Sequence, residues 1–167
     1  MVVAVLVLRD GSSEPGPVTV PPLGGADIVV DGDAPDFSVE LFDGSTFRLA
    51  SHLSDDGRPV VLNLWASWCA PCRAEMPAFD AVARANPDVY IIGVAVEDTE
   101  EAARDFALEI GVTYPLGADE ADRVARRYPS PGLPATYLID TEGSIARTIF
   151  GGVSEETLET LLTETFG

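Results

Sequence analysis

Residues 65–77 read WASWCAPCRAEMP, and they hold the only two cysteines of the 167-residue chain, Cys69 and Cys72. The eight residues before Ser67, Pro59 to Ala66, form a nearly continuous apolar run. Such a run suits a central strand buried on both faces. After the cysteines, Met76, Phe79, Val82 and Ala83 recur at helical spacing, and Asn86-Pro87 closes the pattern. The cysteines therefore fall where a buried strand turns into a helix.

A staple, a metal ligand pair and a redox couple are the three roles open to them. A staple is excluded by the loop they close, which is too short to constrain much of the unfolded chain. A structural zinc needs about four ligands. The sole histidine, His52, has no companion nearby and reads as a surface residue of a short turn. Redox chemistry remains, and its physics is favourable. At a helix N-terminus the free N–H groups and the macrodipole favour an anion. The thiol of Cys69 is thus expected to fall from about 8.5 toward 7 or below. Pro71 suits the first helical turn, where a missing N–H costs nothing. Cys72 lies one turn on, on the same face. Cys69 is the expected attacker of a partner's disulfide and Cys72 the resolving thiol. Pro77, inside the helix, is expected to kink it. Trp65 reads as core and Trp68 as the rim of the site.

Composition narrows the partners. Twenty-eight acidic residues face ten basic ones, all arginine, for a formal charge of −18. A surface this acidic repels phosphate backbones, which excludes nucleic acid as a partner. The apolar content of 46 % suffices for one domain core. The cluster Asp31 to Asp36 lacks the glycine of a calcium loop at its sixth place, has Pro35 at the fifth and has no closing Glu, so no metal is expected.

The chain divides into residues 1–25, an apolar stub plus linker, and a domain over 26–167. Val2 to Leu8 is far shorter than the ~20 residues that span a bilayer. Ser12 to Gly25 holds four prolines and three glycines, as a linker does. The layout is that of a tethered exported domain with an incomplete anchor; an extra strand at Val2 to Leu8 is the alternative. Further on, Phe37 to Leu41 and Thr46 to Leu49 alternate around Asp43-Gly44, predicting a β-hairpin. Val89 to Val96 predicts a second buried strand. Ala103, Phe106, Ala107 and Ile110 predict a helix stopped by Gly111. A short strand near Tyr114 to Leu116 and a helix from about Asp119 to Arg127 follow, with Asp119, Glu120 and Asp122 as surface charges at its start. Two strands, Ala135 to Ile139 and Ser144 to Phe150, turn at Thr141 to Gly143. A last helix, capped by Ser154, turns Leu158, Leu161 and Leu162 inward. This order predicts an α/β fold with a mixed sheet and helices on both faces.

WASWCAPC, with the distant GLPATYLID of Gly132 to Asp140, resembles the thioredoxin fold. More narrowly it resembles the exported TlpA/ResA/CcmG-type thiol-disulfide oxidoreductases, over roughly Ala34 to Phe166. DAPDF at Asp33 to Phe37 and the β-α insertion before the proline loop belong to the same likeness. The resemblance implies a three-layer fold with an N-terminal β-hairpin. It implies a cis Leu133–Pro134 peptide beside Cys69, against the alternative of an ordinary trans proline opening an edge strand. The backbone of Leu133, with Trp68, Ala70, Pro71 and Pro134, would then hold a substrate segment in strand fashion. One departure from thioredoxin stands at Asn63, where that protein has a buried aspartate. ResA-like proteins carry an acid after the second strand, which here matches Asp98, with Glu97 beside it. Asp98 is expected to exchange a proton with Cys72, to cap the next helix, or both.

What the resemblance implies is an exported thiol-disulfide oxidoreductase that needs no cofactor beyond its own disulfide. Its expected partners are cysteine-bearing proteins, apocytochrome c among them, and a membrane thiol-disulfide carrier that supplies electrons to a monomer. The alternatives are an exported disulfide oxidase, a peroxiredoxin-type thiol peroxidase, and a binding module without turnover.

Overall fold

A computed structural model describes residues 26–28 and 32–167; the Val2–Leu8 run and the 12–25 linker lie outside it. In chain order the elements are β1 (Ala26–Ile28), β2 (Ser38–Glu40), β3 (Thr46–Arg48), α1 (Leu49–Asp55) and β4 (Val60–Trp65). Then come α2 (Ala70–Ala85), β5 (Tyr90–Ala95), α3 (Glu100–Ile110), β6 (Leu116–Ala118), β7 (Ala135–Ile139), β8 (Ile145–Phe150) and α4 (Glu155–Phe166).

Six strands form one mixed sheet in the order β1-β8-β7-β4-β5-β6. β4 is parallel to β5 and antiparallel to β7, so the strand leading into the cysteines lies at the centre. All six of its residues are buried, which is why its sequence is apolar without alternation. Val61 and Trp65 pack with α2, α3 and α4; Val60, Leu62 and Leu64 pack on the other face with the β2–β3 hairpin and α1. Each such Val or Leu is worth roughly 1.5–3 kcal/mol in burial. The hairpin closes on the sheet edge, where the Phe42 N–H donates to the Leu116 carbonyl at 2.7 Å. Gly117 permits that approach: a Cβ there would stand 2.6 Å from the Glu40 carbonyl oxygen.

Helix boundaries follow their caps. Ser154 accepts from the Thr157 N–H and opens α4. Gly111, at φ +74°, ends α3 in the left-handed conformation that glycine alone adopts freely. α2 runs unbroken from 70 to 85 through Pro77, which stands on its exposed side.

Several expectations change. The helix expected over Asp119 to Arg127 is a 3₁₀ turn at Glu120–Asp122 followed by turns, with Ala121 at φ 59° and Asp122 at φ 52°. Asp119 is no mere surface charge. Its carboxylate accepts the Val124 and Ala125 N–H groups at 2.9 and 2.8 Å, and this local competition replaces the helical ladder. The short strand is shifted to 116–118, leaving Tyr114 as core. His52 is not a surface residue. It sits in α1 with its ring 4.5 Å from that of Tyr90 and its Nε2 3.1 Å from the Arg58 carbonyl oxygen. β1, which no sequence signal marked, extends the sheet antiparallel to β8.

Candidate active site

Cys69 is the N-cap of α2, with extended backbone (φ −86°, ψ 101°), and its sulfur accepts from the Cys72 N–H at 3.2 Å. The two are joined as a disulfide. Cys69 keeps 4 % of its surface exposed and Cys72 none. Of the pair, only Cys69 therefore reaches the surface from which a thiolate would attack. Ala70 and Pro71 are exposed in the first turn beside it.

Two bonds hold the loop before the nucleophile. The Ser67 N–H donates to one Asp98 oxygen at 2.6 Å, and the Trp68 indole N–H donates to the Glu97 carbonyl at 3.1 Å. Glu97 adopts φ 53° to present that carbonyl. The other Asp98 oxygen accepts the Thr99 N–H at 2.8 Å, and Thr99, not Asp98, is the N-cap of α3. Trp68 stands 61 % exposed, a rim residue, while Trp65 is fully buried. Beyond Trp68 opens a groove of about 310 Å³ lined by Glu97, Tyr128 and the segment Pro129 to Leu133.

The Leu133–Pro134 peptide is cis. The Pro134 carbonyl accepts from the Gly151 N–H at 2.9 Å. Leu133 packs against the apolar cluster that contains both cysteines. Gly152 lies against the Pro71 carbonyl, where an added Cβ would sit 3.9 Å from its oxygen. The proline loop, the β8–α4 loop and the cysteine turn thus form one contiguous rim.

One residue here was not foreseen from the sequence. Glu75, three after Cys72 on α2, is only 3 % exposed. Its Oε1 accepts from Asn63 Nδ2 at 2.8 Å and its Oε2 from the Val153 N–H at 3.1 Å. Burial pushes its carboxyl up to about 7, although the bonds from Asn63 and Val153 oppose the rise. The signal was present: Glu75 falls on the stripe of Cys72, Met76 and Phe79, where a solvated glutamate has no place. Arg73, beside Cys72, offers Glu75 no charge. Its guanidinium is bound by Glu109 at 2.9 Å and lies 4.5 Å from the Phe106 ring centroid. Among the described residues, no cluster of three His, Cys, Asp or Glu is placed to hold a metal.

A disulfide capping a helix, beside a cis proline on a mixed sheet, defines a thiol-disulfide oxidoreductase of thioredoxin-like fold. Comparison with known proteins carries this to the family. The chain belongs to the AhpC/TSA family, whose model matches residues 30–148, and within it stands with the thiol-disulfide oxidoreductases of the ResA type. It is 33 % identical to ResA of Geobacillus kaustophilus over 134 residues, 79 % of this chain and 75 % of that protein. It is 36 % identical to the thiol:disulfide interchange protein HelX of Rhodobacter capsulatus over 62 % of this chain and 58 % of HelX. Among solved structures, MTB DsbF superposes with a TM-score of 0.70 at 31 % identity, covering 77 % of this chain and 94 % of that one. The chain therefore exchanges disulfides through the Cys69–Cys72 couple.

Proposed function

We propose that the protein is a reductant of cysteine pairs in other proteins, working on the outer side of the cytoplasmic membrane. The observation that carries the direction is the buried Glu75 carboxyl, which has no cationic partner among the described residues and stands one turn behind Cys72. Strong oxidants of this chemistry stabilise the thiolate of their reduced form. An anion buried at the couple does the reverse, raising the thiols and favouring the disulfide. Apocytochrome c before haem attachment is the substrate proposed, with electrons from a membrane thiol-disulfide carrier and no cofactor beyond the two sulfurs. The ResA and HelX relatives support this choice.

In the proposed cycle the Cys69 thiolate attacks one sulfur of a substrate disulfide. That S–S bond breaks, and the leaving thiolate takes a proton from solvent. The substrate segment lies along the Leu133 backbone and the groove under Trp68. Glu75, ionised, then takes the Cys72 proton, and the Cys72 thiolate attacks the Cys69 sulfur. The mixed disulfide breaks, the second substrate sulfur leaves as a thiolate that takes a proton from solvent, Glu75 gives its proton back to solvent, and the enzyme ends as its disulfide. Two electrons have passed to the substrate. Asp98, whose oxygens are engaged by backbone N–H groups, takes the role of holding the loop instead of the proton, with Glu97 fixing Trp68.

The test is the reduction potential of the couple, equilibrated against glutathione buffers and followed by tryptophan fluorescence. The reading requires a value near thioredoxin's, about −270 mV, or below. A value near DsbA's, about −120 mV, would make the protein an oxidant of secreted proteins. Peroxide turnover by Cys72→Ala would return the thiol-peroxidase reading. Cellular function that survives Cys69→Ser would return the binding module.

A further inference from the structure

The Glu75 carboxyl is held by a side chain that the reaction never touches. Asn63, in the middle of β4, is fully buried, and its amide reaches Glu75 on α2. Nδ2 donates to Glu75 Oε1 at 2.8 Å and to the Thr136 hydroxyl at 3.3 Å. Thr136 is the cross-strand neighbour of Asn63 and lies two residues after the cis Pro134. Asn63 Oδ1 has no hydrogen-bond partner. An amide carries both a donor and an acceptor. By rotating, it can donate to a carboxylate or accept from a carboxylic acid, so it can satisfy Glu75 in either protonation state. An aspartate could not donate while ionised, and a leucine could do neither.

We infer that Asn63 is a positioning residue for the disulfide exchange, anchored through Thr136 to the proline strand and setting the pH at which Glu75 can accept the Cys72 proton. This rests on the assignment of Glu75 as that acceptor. The groups facing Glu75 are few. On α2 there is the cysteine couple, with Asp80 further along and held by Arg84 and Thr113. From the β6 side comes the buried Tyr114 phenol, itself pushed well above its ordinary value by burial and then by the Glu75 charge. β4 and β7 present Asn63 and Thr136, and the β8–α4 loop presents the Val153 N–H. With no cation among them, the Asn63 donor is the main side-chain support of the ionised form.

The experiment uses the reduced full chain and an aromatic disulfide, dithiobis-nitrobenzoate. Attack by Cys69 releases a first thionitrobenzoate, and resolution by Cys72 releases a second. The rate of the second release is followed against pH. In the parent protein it should rise with a midpoint near 7. Glu75→Gln should abolish that limb and leave the rise at the ordinary thiol range, about 8.5. Asn63→Leu should keep the limb and move it upward by about one pH unit or more, because a hydrogen bond to a charged group is lost. Thr136→Val, which preserves packing, should move it in the same direction by less. A purely structural Asn63 would lower the unfolding midpoint and leave the pH midpoint alone. That result in Asn63→Leu overturns the inference, as does an unmoved Thr136→Val where the leucine variant does not fold. An unchanged limb in Glu75→Gln overturns the assignment of Glu75 itself, a separate outcome.

Discussion

Glu75→Gln should make the oxidised protein more stable in mild alkali, and by a calculable amount. The Glu75 carboxyl titrates near 7 in the fold and at about 4.5 when exposed by unfolding. Between those values the native state holds a proton that the unfolded state has released. The stability slope is then negative, about 1.4 kcal/mol lost for each pH unit. Below 4.5 both states are protonated and the full contribution is present. It is lost as pH rises through 7, after which the slope vanishes. Over the whole interval the loss is about 3 kcal/mol. Glutamine stays neutral throughout. Its Oε1 still accepts from Asn63, but its amide donor opposes the Val153 N–H, at a cost of about 1 kcal/mol. The variant should therefore be equal to or slightly weaker than the parent near pH 5 and stronger by about 2 kcal/mol near pH 8. Urea unfolding with the disulfide intact, at both pH values and with equal m-values, measures the difference. All other carboxylates cancel in it. A difference that stays flat between the two pH values would refute the buried, raised carboxyl and the argument built on it.

Two other substitutions test the packing and the loop around the site. Gly93→Ala places a Cβ 2.6 Å from Leu116 Cδ2, 3.0 Å from Trp65 Nε1 and 3.1 Å from the Tyr114 ring. Overpacking there should cost about 1–3 kcal/mol in urea unfolding, and a neutral result would mean that β6 yields freely. Asp98→Asn exchanges one acceptor for a donor facing a backbone N–H. It should slow attack by Cys69 without moving the pH midpoint of Cys72 resolution, whereas a moved midpoint would return the proton to Asp98.

The fold was legible because its signals are local and redundant. The apolar run of β4, the proline in the first turn of α2, the turn at Asp43-Gly44 and the caps at Ser154 and Gly111 each act within a few residues. Where a side chain competes with its own backbone, as Asp119 does for the N–H groups of Val124 and Ala125, the helical pattern misleads, since periodicity does not reveal which bond wins. His52 misled for a different reason: its neighbours Phe47 and Tyr90 come from separate strands.

The chemistry divides along the same line. Cys69, its place at a helix N-terminus and its partner one turn on are properties of thirteen consecutive residues, legible in the sequence alone. So, through the resemblance, is the proline loop more than sixty residues away. The proposed proton acceptor was left to the tertiary structure. Glu75 is an ordinary helical glutamate until α2 is laid on the sheet over Asn63 and the β8–α4 loop closes on it through Val153. Burial is what changes its proton affinity, and burial belongs to the assembled layers, with contributions from residues 63, 75 and 153 that no local pattern joins.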